Sequence, residues 1–215
     1  IMLKNHLNLN AIRNAAIMVA AMWLGYFLQY VGLFTGCSGA IIPLNPHGLK
    51  GIFFSPFLHG SLEHIFGNSV PIFVLVFLLY QFYPFIAKKI FFLGWILTGF
   101  LVWLLPPIDI YTGEFTTVCI IGASGIVYVL AFFIFFSGVF RWNMKFLTVS
   151  MVVALYYGSL IWGVLPEELF SNLAEPSRIS WQSHLSGAVI GIVMAFIFRK
   201  SGERRVKFIW EFPNY

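Results

Sequence analysis

Read for apolar runs, the 215-residue chain divides into six long stretches separated by polar or proline-containing segments. They run about Ala15–Phe34, His64–Phe82, Ile90–Leu105, Ile120–Phe140, Phe146–Leu165 and Ser180–Phe198. A helix needs roughly 17 to 25 apolar residues to cross the hydrocarbon. The runs are continuous rather than alternating, which argues against the strands of a membrane barrel. The pattern predicts an all-α membrane protein with six transmembrane helices. A long first loop, Thr35 to Leu58, is rich in Gly, Pro and aromatic residues and is expected to fold into the outer interface.

Composition agrees: hydrophobic residues make up 60% of positions, charged residues 10%, and mean hydropathy is +0.87. That is far from a soluble domain. The net charge of +5 does not point to nucleic acid, because of where the charges fall. Lys4, Arg13, Lys88, Lys89, Arg141, Lys145, Arg199, Lys200, Arg204, Arg205 and Lys207 share one side if six helices alternate. The other side holds Lys50 and Arg178 with Glu63, Asp109, Glu114, Glu167, Glu168 and Glu175. The positive-inside rule then makes both termini cytoplasmic, with a basic tail over about 199–215 available to anionic lipid. A single membrane domain over 1–215 is expected, without internal repeats. No signal peptide is evident, and a chain opening on Ile1 leaves a missing natural start open. Cys37 and Cys119 both fall toward the outer side, but two cysteines without a spacing motif leave their pairing open. No cofactor is implied, and oligomeric state is not readable.

Helix rise converts sequence distance into depth. Ser124 lies 17 residues before Arg141, hence roughly 25 Å from that end. His184 lies 15 residues before Arg199, and Asn68 15 before Tyr83, where Pro84 is expected to end the second helix; each gives roughly 22 Å. Three polar groups on three helices thus share one level inside the outer leaflet. Polar groups at such depth face a bundle interior or a water-filled cavity. Alone, Ser124 reads more readily as a small packing residue, and His184 as a satisfied core histidine. Together, with His64 one turn from Asn68, they suit acyl transfer. Imidazole can take the serine proton, and Asn68, His64 and backbone N–H groups near Ser124 can donate to an oxyanion. No carboxylate lies at this depth, so the site is a Ser–His dyad whose imidazole is oriented by packing. The segment "HGSLEH", with His59, Glu63 and His64, misses the zinc-protease spacings, so no metal site is expected.

These residues resemble the rhomboid family of intramembrane serine proteases. Gly122, Ala123, Ser124 and Gly125 match the family's G-x-S-G. Tyr128 stands where an aromatic stacks on the catalytic histidine. His184, Gly187 and Gly191 match H-x-x-G-x-x-x-G, and His64 and Asn68 match H-x-x-x-N, with His59 upstream. The resemblance implies Ser124 as nucleophile, His184 as base, and His64 and Asn68 as oxyanion donors. It also implies transmembrane protein substrates cleaved near the outer leaflet, and a multi-pass protein of the bacterial inner (plasma) membrane. Gly187 and Gly191 would let the sixth helix close on the fourth, while Gly122 and Gly125 would leave room for a peptide carbonyl. Ala188, about 100° further round the helix, is expected to be the more tolerant neighbour of Gly187. The family's Trp-Arg pair in the first loop is missing from "GLKGIFFSPFLHG"; Lys50 is the nearest substitute, with a point-like ammonium in place of the guanidinium fork. A catalytically silent rhomboid-like binder of transmembrane helices is the main alternative. A proton-relay transporter fits less well, since inverted interruptions and buried carboxylates are missing.

Overall fold

Among the residues described by the computed structural model, 7–107, 115, 117–165 and 180–201, seven α-helices form. They are α1 Leu9–Tyr30, α2 Gly51–Phe54, α3 Leu62–Phe82, α4 Ala87–Leu104, α5 Ser124–Arg141, α6 Met144–Tyr157 and α7 Trp181–Ile197. A 3-10 segment, Gly158–Val164, continues α6. Asp109, Glu114, Glu167, Glu168, Glu175, Arg178 and the basic residues beyond position 201, like Lys4, lie outside the described residues. Five helices are long and apolar enough to cross a membrane, counting α6 with its 3-10 extension; α7 is apolar but 17 residues long. The chain is an all-helical integral membrane protein.

Caps explain where the helices start. Asn8 accepts from the Asn10 amide at 3.0 Å, so α1 begins six residues before its expected start, and Gly32 at φ +86° follows its end. Ser61 accepts from the His64 amide at 3.1 Å, and Ser180 from the Ser183 amide at 3.3 Å. Those caps place His64 and His184 in the first turns of α3 and α7. The start of α5 departs from the apolar run. Ile120 is not helical; it exchanges both backbone hydrogen bonds with Ile41, each 2.9 Å. The helix opens instead at Ser124.

The core is built around α5, the most enclosed long helix, where Leu130, Phe133 and Ile134 are fully buried. Its far end is held by Arg141. The guanidinium donates to Ser137 Oγ at 2.8 Å and to the Phe198 and Ser201 carbonyls at 2.6 and 2.8 Å, satisfying acceptors that the end of α7 leaves over. α6 is the least enclosed of the long helices.

The first loop is folded, not loose. Cys37 and Cys119 form a disulfide, Cα–Cα 5.4 Å, that ties its start to the strand-like lead into α5. Two indoles on α4 anchor its middle: Trp103 Nε1 donates to the Asn45 carbonyl at 2.8 Å and Trp95 Nε1 to the Ile52 carbonyl at 2.7 Å. Lys50 is exposed, so these neutral donors hold the loop where the substitute cation was expected.

Candidate active site

Ser124 is the first residue of α5 and is only partly buried, although residues 125–131 that follow are all buried. The turn before it is set by two features. Gly122 adopts φ +111°, a region L side chains rarely enter. Its amide donates to the Ser55 carbonyl at 2.8 Å, so the folded loop holds the turn in place. Inside the helix the first acceptor is Ala123, whose carbonyl takes the Ile126 and Val127 amides at 2.9 and 3.1 Å. The amides of Ser124 and Gly125 come too early in the turn to find an intrahelical carbonyl. The positive end of the α5 dipole therefore lies at the serine.

His184 is 7% exposed and stacks on Tyr128, with ring centroids 4.1 Å apart and planes within 10°. Its Nδ1 lies 2.9 Å from the Gly163 carbonyl oxygen. A carbonyl can only accept, so this bond puts the proton on Nδ1 and leaves Nε2 as the basic nitrogen. α7 reaches this position by close approach. A Cβ on Gly187 would run into the Gly125 carbonyl and lie 2.8 Å from Tyr128 Cβ. One on Gly191 would lie 2.6 Å from the Val129 carbonyl oxygen. Small residues thus bring the two backbones together.

His64 stands on the other side of the turn. A Cβ on Gly122 would lie 2.7 Å from His64 Nε2 and Cε1, and one on Gly125 would lie 2.8 Å from Ser183 Oγ. Neither glycine therefore opens onto empty space, as the sequence suggested. Each missing side chain is replaced by a neighbour, and the space beside the turn is a recess lined by Ser55, Trp95, Thr98, Gly122, Gly125 and Ser183. Asn68 is 6% exposed and donates one amide hydrogen to the His64 carbonyl at 2.9 Å, so one hydrogen of its NH2 remains for another acceptor. His59 is 1% exposed and meets the His64 ring edge to face at 4.9 Å. Burial first, and the neighbouring His64 second, push the His59 imidazole down to about 4; the Phe57 backbone opposes this without a well-formed hydrogen bond.

His64 thus lies against Gly122 and Gly187 against Gly125, while His184 stacks on Tyr128 one turn further along α5, Asn68 and His59 contact His64, and Gly191 packs lower down, against Val129. Gly163, Ser55 and Ser183 were not singled out by sequence. They act through backbone carbonyls or by filling a glycine's space, and no residue-type signal reports either. Among the described residues no three His, Cys, Asp or Glu side chains gather to hold a metal ion.

The family model for the Rhomboid domain matches residues 46–201. An uncharacterized protein of Mycobacterium tuberculosis (strain ATCC 25618 / H37Rv) is 32% identical over 169 residues, covering 78% of this chain and 66% of its own length. One of Mycobacterium leprae (strain TN) is 30% identical over 170 residues, covering 76% and 61%. The chain therefore spans less than two thirds of the length of these relatives.

Proposed function

Since the chain belongs to the rhomboid family, we propose that it is an intramembrane serine endopeptidase that cleaves transmembrane segments of other membrane proteins near the outer leaflet. The observation that carries this reading is the Tyr128–His184 stack one turn after Ser124, with Nδ1 bonded to the Gly163 carbonyl. That bond leaves Nε2 as the basic nitrogen, which a general base acting on Ser124 requires.

Ser124 Oγ attacks the scissile carbonyl carbon as its proton passes to His184 Nε2. The oxyanion that forms is met by the Ser124 amide at the helix terminus, the remaining Asn68 N–H and the His64 ring. The carbon–nitrogen bond then breaks, and the imidazolium returns its proton to the leaving amine. Water attacks the acyl-enzyme with His184 again as base, releasing the acid and restoring Ser124. Tyr128 contributes a flat face that limits the ring's rotation, replacing the orienting carboxylate of a triad. His59, kept neutral by burial, sets no competing charge beside His64.

Both termini are read as cytoplasmic from the distribution of Lys and Arg, which puts Ser124 toward the outer leaflet and gives six crossings with α7 as the last. The protein is assigned to a bacterial inner membrane, as a single membrane domain with a basic tail. Its substrates are single-pass proteins whose helices carry small or helix-weakening residues, because a peptide bond inside an intact helix is shielded by its own hydrogen bonding.

The test is fluorophosphonate labelling of purified protein in detergent, with mass spectrometry locating the adduct. An adduct on Ser124 that is lost in Ser124→Ala supports the protease. No adduct on Ser124 supports the catalytically silent helix-binding alternative.

A further inference from the structure

The sequence offers no third member for the dyad, but the structure supplies an atom in that place. We propose that Gly163 is a positioning residue for the catalytic base: its carbonyl holds the His184 proton on Nδ1, and only a residue without a side chain can present it there. This rests on the serine-protease reading above and concerns the same site.

Three observations converge. The Gly163 oxygen lies 2.9 Å from His184 Nδ1, a hydrogen-bond distance that a carbonyl can fill only as acceptor. A Cβ on residue 163 would overlap the Tyr128 hydroxyl and lie 3.2 Å from the same Nδ1. The backbone there is not in the left-handed region, so the glycine answers a need for space and not for an unusual φ. Gly163 thus sits at the edges of the two stacked rings, beside the Tyr128 hydroxyl and His184 Nδ1. It packs against the edge of both and bonds to one.

The bond has a mechanistic consequence. A neutral imidazole exchanges its proton between two nitrogens, and only the Nδ1–H form leaves Nε2 free to accept from serine. A carboxylate performs this task in a triad, fixing the tautomer and the ring's angle. Here a neutral carbonyl does it, at a depth where a carboxylate would be disfavoured. The location matters as well. Gly163 belongs to the 3-10 extension of α6, none of whose residues is buried. The ring is therefore set by a partly exposed segment that Leu160 packs against the core, and the base is correctly protonated only while that segment is docked against Tyr128.

The experiment combines tautomer and kinetics. In 15N-histidine-labelled protein, the His184 signals are assigned by their loss in His184→Ala. At a pH where the ring is neutral, wild type should show Nδ1 protonated and Nε2 bare, and Gly163→Ala should show a mixture. Cleavage by Gly163→Ala should lose about 10- to 100-fold in kcat with KM within about twofold, since orientation and not binding is disturbed. Tyr128→Phe removes the hydroxyl that the new methyl would strike. In that background Gly163→Ala should cost no more than about threefold relative to Tyr128→Phe alone, because the ring can stay stacked and the carbonyl can return. Gly158→Ala, in the same 3-10 segment with nothing near its Cβ, should behave as wild type.

A wild-type His184 protonated on Nε2 overturns the proposal regardless of activity. So does a Gly163→Ala enzyme of wild-type kcat, or a loss that Tyr128→Phe fails to relieve. If wild type shows the Nδ1–H form but takes up no fluorophosphonate, the protease reading falls and the hold of Gly163 on His184 stands.

Discussion

Gly187→Ala adds a single methyl group and touches no reacting atom, yet the packing of α7 on α5 makes it costly. Ordinary contact for a Cβ begins at about 3.4 Å. At position 187 the new carbon would stand 2.8 Å from Tyr128 Cβ and 3.2 Å from the Val129 nitrogen, with the Gly125 carbonyl closer still. The first two belong to the backbone or the base of a side chain in the buried part of α5, and the carbonyl adjoins Ser124. None is the free end of a flexible chain. Relief has to come from α7 moving outward by about 1 Å, and a displacement of that size can cost on the order of 100-fold in rate. His184, one turn earlier, moves with the helix, loses register with Tyr128 and draws away from Ser124. A loss of about 100-fold in kcat/KM corresponds to about 2.7 kcal/mol of transition-state stabilisation. The assay is cleavage of a model transmembrane substrate in detergent, with melting temperature measured in the same detergent. Tm should also fall, because helix association in lipid relies on close packing. Ala188 was expected to be the tolerant comparison, but it is 3% exposed and equally enclosed. The control is therefore Val189→Leu, at a position 42% exposed. Wild-type activity in Gly187→Ala would refute the idea that this glycine sets the position of the base.

Ser124→Ala should abolish cleavage with Tm little changed, and His184→Ala should be equally damaging; a double mutant no slower than either single one is expected of groups acting as a unit, and a much slower one would break the dyad. Asn68→Ala should lower kcat by roughly 10- to 1000-fold with little change in KM, and His64→Ala should act in the same direction; a pure KM effect would make them substrate-positioning groups. For His59 the sign follows from its depressed imidazole. Above the ordinary value of 6.5 both folded and unfolded states are neutral and stability is unaffected. As pH falls from 6.5 toward 4 the unfolded chain takes a proton that the folded chain refuses, so stability is lost across that window, by up to about 3 kcal/mol. Tm measured against pH should decline less steeply in His59→Phe than in wild type, and parallel curves would show that His59 is not the group responsible.

Much of this protein is local in origin and so legible in the chain alone. Apolar runs long enough to cross hydrocarbon specify the helices, since a bilayer demands internal satisfaction of every backbone group. The fixed rise of a helix then predicts one depth for Ser124, His184 and Asn68. Glycines at a four-residue spacing mark the face of α7 that approaches α5. What the chain could not reveal depends on partners distant in sequence. The apolar run reaches back to Ile120, but α5 begins at Ser124 because Ile41, in the first loop, takes Ile120's hydrogen bonds. The space vacated at Gly122 and Gly125 is occupied by His64 and Ser183, which no local pattern announces. Ala188 is enclosed because the helices around α7 cover more than its glycine stripe. The loop is anchored by indole N–H groups of α4 in place of a cation. The His184 tautomer is decided by a carbonyl of residue 163, an atom common to every residue type, so only its position in the folded chain distinguishes it.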